Sequence, residues 1–367
     1  MTHKGLIIFC VVGGCLLLGT GACSTDGIEN VSEDPELSNV PVVFEIEIDN
    51  SNTRGSLMEI MDFKEYGVYG ITKTAFAKNI YFQKTENGWI KNKELNWPTV
   101  PANFYSVNSS FDKTTNGGVM KAVTMTASKQ TFTYVMPENA EDQFDMMIAS
   151  AFNKTQDDNN GKVVLAFKRV FAYLKFKIQN KLGDGYVVHV GGISVYNLKN
   201  QGTFTYNTTK ESVGEWKEGT TYGNMHRVFD EPFLVPVDAS DWLVSQDTVF
   251  MSIPQAKTTK WKTTKSNNIP ITVANTSHHT YLELLCKIQD EGGNYVWGSA
   301  DLYRSVYMPF NLTTATKSAT ARNISISMTG SGCFDENGVP LSFGSDFAID
   351  VEDWDETPGD DPIEVEF

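Results

Sequence analysis

An all-β fold arranged as two tandem sandwiches is what this sequence predicts. Three observations lead there. Apolar residues recur with a period of two in roughly a dozen short runs, the spacing of half-buried strands. Glycine, asparagine, aspartate and proline separate those runs, and helical spacing is sparse. One sandwich takes about seven strands, so this number implies two, and 367 residues are enough for both.

Residues 1–22 read as an export signal. Lys4 gives a charged start, an apolar run follows from Gly5 to Gly19, and TGAC (Thr20 to Cys23) precedes polar STDG. A cysteine at the cut suggests a bacterial lipoprotein, in which the thiol takes a diacylglycerol and becomes the mature N-terminus. Thr20 stands where leucine is usual. VGGC at Cys15 is a competing box, but its apolar run is too short and CLLLG would be left on the mature end. Cys23 is therefore the predicted lipidation site. An uncleaved anchor is the alternative, since the run approaches the ~18 apolar residues of a spanning helix.

Residues 23–40 are polar and acidic with one proline, a flexible tether. The first sandwich is predicted over 41–160. It opens with Val42, Phe44, Ile46 and Ile48 in alternation and contains QTFTYVMP. Gly55 to Tyr66 allows one short helix, and AEDQFDMMIASAF is ambiguous. The boundary is placed in DDNNGK, Asp157 to Lys162, a polar, turn-rich stretch. The second sandwich is predicted over 161–355. It begins with the long run VVLAFKRVFAYLKFKIQN, and YVVHVGGISVYNL, GTFTYN, TVFMSIP, IPITVAN, TYLELLCKI, NISISM and FAIDVEDW follow as strands. Residues 356–367 form an acidic extension that ends in PIEVEF.

Charge and chemistry narrow the function. The net charge is -15, which repels phosphate backbones and disfavours nucleic acid. From Asp346 onward there are ten acidic residues and no Lys or Arg. No hydrolase, zinc-protease, P-loop or paired-cysteine motif occurs, so no catalytic, metal or cofactor site is predicted. His278 and His279 are adjacent, and a strand would point them to opposite faces. Cys286 reads as a small buried hydrophobe on a strand, and its pairing with Cys333 stays open. Trp89, Trp97, Phe104, Tyr105 and Trp242 offer either a sugar platform or core.

Several segments carry a family resemblance. FKEYGVYGITKTAFAKNIYF, GWIKNKELNWPTVPANFYSV, DMMIASAF, VVLAFKRVFAYLKFKIQNKL, GGISVYNLKNQGTFTY, TVFMSIPQ and VYMPFNL occur in that order. In order and spacing they resemble the fimbrillin-like (Mfa-like) family of type V fimbrial lipoproteins in Bacteroides-type bacteria. Arg169-Val170-Phe171 stands where relatives often show His-Ala-Leu. The resemblance implies two transthyretin-like (Greek-key) sandwiches, export as a lipoprotein to the outer membrane, and assembly with other fimbrial subunits into surface fimbriae. It implies no enzyme activity. It also implies that a trypsin-like protease removes the first strand after an arginine, and that a strand from another subunit, often its C-terminal extension, fills the groove.

The residues support that reading on their own terms. Arg54 is the first Lys or Arg after Lys4, in the polar, turn-prone DNSNTRG. A basic-specific protease acting on this region would stop there. Removal of Val42 to Arg54 would bare the groove that Phe44, Ile46 and Ile48 filled. Ile363, Val365 and Phe367 repeat the apolar-Glu alternation and form the candidate donor strand. The plain alternative is an ordinary first strand, a simple turn and a frayed end. Functions kept open are a stalk or anchor subunit, a tip adhesin, and a surface glycan-binding lipoprotein.

Overall fold

The computed structural model describes residues 34–48, 63–112, 114–115, 118–182, 185–208, 214–235, 243–263, 266–330, 333–341 and 347–355. In chain order the strands are β1 (Leu37–Pro41), β2 (Val43–Ile48), β3 (Glu65–Ile71), β4 (Ala75–Thr85), β5 (Gly88–Lys91), β6 (Asn96–Pro98), β7 (Ala102–Val107) and β8 (Thr114–Thr115). Next come β9 (Gly118–Met125), β10 (Gln130–Val135), β11 (Met147–Lys154), β12 (Lys162–Arg169), β13 (Ala172–Asn180), β14 (Val187–Lys199), β15 (Gln201–Tyr206) and β16 (Gly214–Glu218). The last are β17 (Tyr222–Leu234), β18 (Leu243–Ser252), β19 (Tyr281–Gln289), β20 (Tyr295–Trp297), β21 (Arg304–Pro309), β22 (Ala321–Gly330) and β23 (Phe347–Asp355), with helix α1 at Ile271–Thr276.

The first half is built on a seven-stranded sheet, β2-β12-β11-β7-β3-β4-β5. Both of its faces are buried. On one face Ile71, Tyr105, Val107 and Ile148 meet Phe132, Tyr134, Phe204 and Tyr206 of a five-stranded sheet, β16-β15-β10-β9-β8. On the other, Val68, Phe82, Phe104, Met147, Val163, Leu165 and Phe167 form a second core with Val42, Phe63, Leu95 and Trp97. Phe104 and Tyr105 are neighbours that point into different cores, as the period of two requires. A two-stranded ribbon, β1-β6, joins this region.

The second half is a further sandwich. A four-stranded sheet, β18-β13-β22-β23, faces a five-stranded one, β17-β14-β19-β20, with β21 also on β19. Leu174, Phe176, Ile178, Ile324 and Ile326 meet Val188, Val190, Leu282, Leu284 and Cys286 between them. The all-β, multi-sandwich expectation is thus what the described residues display.

Several particulars differ from the sequence reading. The break drawn between residues 160 and 161 is not where the sheets divide. β12 lies in the first seven-stranded sheet, and β15 pairs with β10, so residues 201–218 also return to the first half. The long run from Val163 to Asn180 is two strands in different sheets, broken at Val170-Phe171. IPITVAN is helical: Pro270 offers no N–H to a strand ladder, and its carbonyl accepts from Val273 and Ala274. Of the helix candidate at Gly55 to Tyr66, the part through residue 62 lies outside the described residues, and Glu65 and Tyr66 begin β3. AEDQFDMMIASAF resolves into a 3-10 turn at Ala140–Asp142, capped by Asn139, followed by β11.

One glycine of the GTF motif is dictated by packing. A Cβ on Gly202 would lie 2.9 Å from Ile253 and 3.0 Å from Trp216, so a side chain there would displace both.

A buried polar network spans the break between β12 and β13. Arg169 Nε donates to Asp145 Oδ2 at 2.9 Å, and the Tyr173 hydroxyl donates to Asp145 Oδ1 at 2.6 Å. Asn108 Nδ2 donates to the Asp145 carbonyl at 2.8 Å. Arg169 and Asp145 are only 4% and 6% exposed, so the charges have little water to fall back on. Burial, with the Asp145 carboxylate next in importance, holds the Tyr173 phenol well above its usual range. Asp145→Ala is expected to lower stability by about 3–5 kcal/mol in urea unfolding, because it takes the carboxylate from a buried guanidinium. A loss below about 1 kcal/mol would mean that water solvates Arg169 in place of the carboxylate.

Candidate functional site: the first strand and its seat

The first strand is broken at Val42, just after Pro41. Before it, β1 pairs with β6: Leu37 lies opposite Pro98 and Pro41 opposite Asn96. Thr99 N donates to the Glu36 carbonyl at 2.9 Å. After it, the chain changes partners. Val42 N donates to the Leu95 carbonyl at 2.8 Å, and the Val42 side chain plugs the core at 5% exposure. β2 then runs parallel to β12 from Val43 opposite Lys162 to Ile48 opposite Phe167.

β2 is the terminal strand of the seven-stranded sheet. Its alternation is as the sequence predicts. Phe44, Ile46 and Ile48 pack on the core, and Val43, Glu45 and Glu47 are exposed. The inward residues are only half-buried, whereas Val163, Leu165 and Phe167 beneath them are fully buried. The strand is a lid on a core rather than its centre. Glu45 Oε2 lies 3.9 Å from Lys162 Nζ, with both side chains about half exposed, so that pair contributes little.

Phe44 has the most specific seat. Its ring meets Tyr66, Phe82 and Phe104 edge-on, with centroids 6.3, 5.6 and 5.5 Å away. Tyr66 and Phe82 stack at 4.5 Å, and Trp97 closes on Phe104 at 5.8 Å. Burial pushes the Tyr66 phenol above its usual range, so this wall stays uncharged. Such ring contacts add to area burial by about 0.5–1.5 kcal/mol each.

Cys23, Arg54, Ile363, Val365 and Phe367 lie outside the described residues. The aromatics considered for a sugar platform do not assemble as one. Trp97, Phe104 and Tyr105 are buried. Trp89 is 40% exposed and leans on Phe63 and Tyr66, and Trp242 lies outside the described residues. Cys286 and Cys333 are free, buried thiols of the second core, and burial pushes Cys333 up to about 12. Among the described residues no three His, Cys, Asp or Glu are grouped to hold a metal ion.

Val42 faces the core, as its alternation with Phe44, Ile46 and Ile48 predicts. The tether expected over 23–40 is corrected at its end: Leu37–Pro41 form β1, paired with β6, because an extended segment beside that strand satisfies its backbone groups there. Sequence reasoning also missed the parallel pairing with β12. Nothing local to residues 43–48 indicates a partner so far along the chain.

The geometry defines a class: an all-β protein of stacked sandwiches whose first strand is laid on a sheet edge. The family model described as fimbrillin-like matches residues 49–301, and the chain belongs to the fimbrillin-like family. Its fold is similar to that of a fimbrial protein from Bacteroides vulgatus, at 11% identity and a TM-score of 0.52, covering 87% of this chain and 100% of that one. A provisional cell adhesion protein from Bacteroides eggerthii is 13% identical, with a TM-score of 0.43, over 86% of this chain and 96% of that one. No curated protein matches the chain.

Phe44→Ala in the unprocessed chain is expected to lower urea stability by about 2–3 kcal/mol, somewhat below a fully buried Phe truncation. A change within about 0.5 kcal/mol, typical of surface sites, would show that the ring does not hold the strand.

Proposed function

We propose that the chain is a structural subunit, stalk or anchor, of surface fimbriae serving adhesion. It is exported as a lipoprotein anchored to the outer membrane through Cys23. A trypsin-like protease cuts after Arg54, the first strand leaves, and a strand from another subunit takes its place. The observation that carries this reading is the seat of β2: a terminal strand, half-buried, over a fully buried core. Loss of residues through Arg54 would bare the β12 edge, the Leu95 carbonyl and the sockets of Val42 and Phe44. An exposed edge beside apolar surface is a template for strand addition.

Magnitudes favour exchange over an open groove. Burying an apolar side chain fully is worth about 1.5–3 kcal/mol, and a ladder hydrogen bond about 0.5–1.5 kcal/mol. A five-residue donor with three inward apolar residues recovers most of what β2 supplied, but not the Val42 plug or the β1-β6 ribbon. In the uncut chain the resident strand competes from the same molecule at high effective concentration, so the precursor stays monomeric. The extension after β23 favours stalk or anchor over a tip subunit, which needs no donor. Burial of Trp97, Phe104 and Tyr105 weighs against the glycan-binding alternative.

Two tests separate the parts of this reading. Arg54→Ala should abolish high-mass polymer on surface preparations while leaving a folded monomer. Deletion of Pro362 to Phe367 should leave a cleavable subunit that only caps. Polymer at wild-type rate in both variants would remove strand exchange through these ends. Separately, Cys23→Ala should end labelling by a fatty-acid probe and release the chain from membranes. Persistent labelling would move the lipid to Cys15.

A further inference from the structure

The seat of the first strand differs at its two ends. Around Phe44 it is an aromatic socket, with Tyr66, Phe82 and Phe104 arranged edge-on about one ring. At the other end Ile48 lies opposite Phe167, whose ring already meets Phe63 at 4.7 Å. One end takes a ring and the other supplies one.

The two apolar-Glu strands carry their bulk in opposite order. The first runs Phe44, Ile46, Ile48, and the C-terminal one runs Ile363, Val365, Phe367. Laid parallel to β12, as β2 is, the C-terminal strand would put Ile363 in the socket. That leaves ring-sized space unfilled, and unfilled core volume is costly. It would also set Phe367 against Phe167, where the resident side chain is an isoleucine. Laid antiparallel, it places Phe367 opposite Val163, Val365 opposite Leu165 and Ile363 opposite Phe167. A period of two reads the same in both directions, so all three still face the core. Antiparallel ladders are slightly the more stable per residue.

We infer that the C-terminal strand of a second copy enters the groove antiparallel to β12, opposite in sense to the strand it replaces, with Phe367 in the socket of Tyr66, Phe82 and Phe104. The inference rests on the strand-exchange reading above and adds its direction and register. Glu366 then takes the row of Glu45, opposite Val164, and Glu364 takes the row of Glu47, opposite Ala166. The donor's linker enters at the Phe167 end, next to the Arg169–Ala172 break between the two sandwich-forming halves, rather than at the Lys162 end.

Directed disulfides read the direction. The donor is the full chain carrying Glu366→Cys. The acceptors are protease-cut chains lacking Pro362 to Phe367, so that they only receive, and carry Val164→Cys or Ala166→Cys. Directly opposed residues lie within disulfide range, whereas a position two residues along is displaced by a further ~6.6 Å and is out of reach. Cys286 and Cys333 are buried and do not compete. The expected result is disulfide-linked dimer with Val164→Cys, at least ten-fold above that with Ala166→Cys. The order-reversing donor Ile363→Phe with Phe367→Ile is expected to lower dimer yield at least ten-fold. The opposite ratio between the two acceptors overturns the direction and leaves strand exchange standing. In a single cut chain carrying both Glu366→Cys and Val164→Cys, a disulfide formed within the monomer in place of a dimer overturns the second-copy assignment. Polymer growth by the wild-type chain with neither disulfide forming means that another strand fills the groove, and overturns the proposal with its premise.

Discussion

The edge of β12 is the constraint on which the rest of the structure depends. Its inward side chains, Val163, Leu165 and Phe167, are wholly buried, and its backbone is paired with β11 on one side and β2 on the other. Without β2, a row of peptide groups and a strip of core would face water together. Unpaired buried peptide groups and exposed apolar core are both costly. The position of β12 therefore demands a partner strand. It does not demand a particular one, because the contacts are a ladder, a period-two apolar face and one aromatic socket.

The surroundings keep that edge in shape. The seven-stranded sheet has a core on each face, and only one of the two is covered by the terminal strand. The β15-β16 hairpin returns from the second half to complete the opposing sheet, and Trp216 Nε1 donates to the Val170 carbonyl at 2.7 Å. The Asp145 network ties the end of β12 to the start of β13. A preformed, rigid acceptor loses less entropy on binding a strand than a flexible one.

How much of this was legible in the sequence depended on whether the signal was local. The alternation of Phe44, Ile46 and Ile48 is local, and the structure gives those residues the inward face. The division of the long run at Val170-Phe171 is not: Arg169 and Tyr173 on either side of it share Asp145, a residue more than twenty positions upstream. The pairing of β2 with β12 joins segments over a hundred residues apart, and no spacing within either strand encodes it. IPITVAN has the alternation of a strand, and its proline was the overlooked local signal. The expected domain boundary and the sheets disagree for a topological reason: β12, β15 and β16, all beyond the expected break, complete sheets of the first half. The apolar runs that blurred the alternation, as in DMMIASAF, belong to the sheet buried on both faces.

The central claim is that the first strand is an exchangeable occupant of the β12 edge. Hydrogen exchange at the β12 amides facing β2 tests it most directly. The uncut chain should protect those amides. Cleavage after Arg54 and removal of the released segment should expose them, while β7, β13 and β19 keep their protection. Adding a peptide of the PIEVEF sequence should restore protection at β12 alone. If the β12 amides stay protected after the segment has gone, or the peptide leaves them unprotected, the edge is not an acceptor for this strand and the account fails.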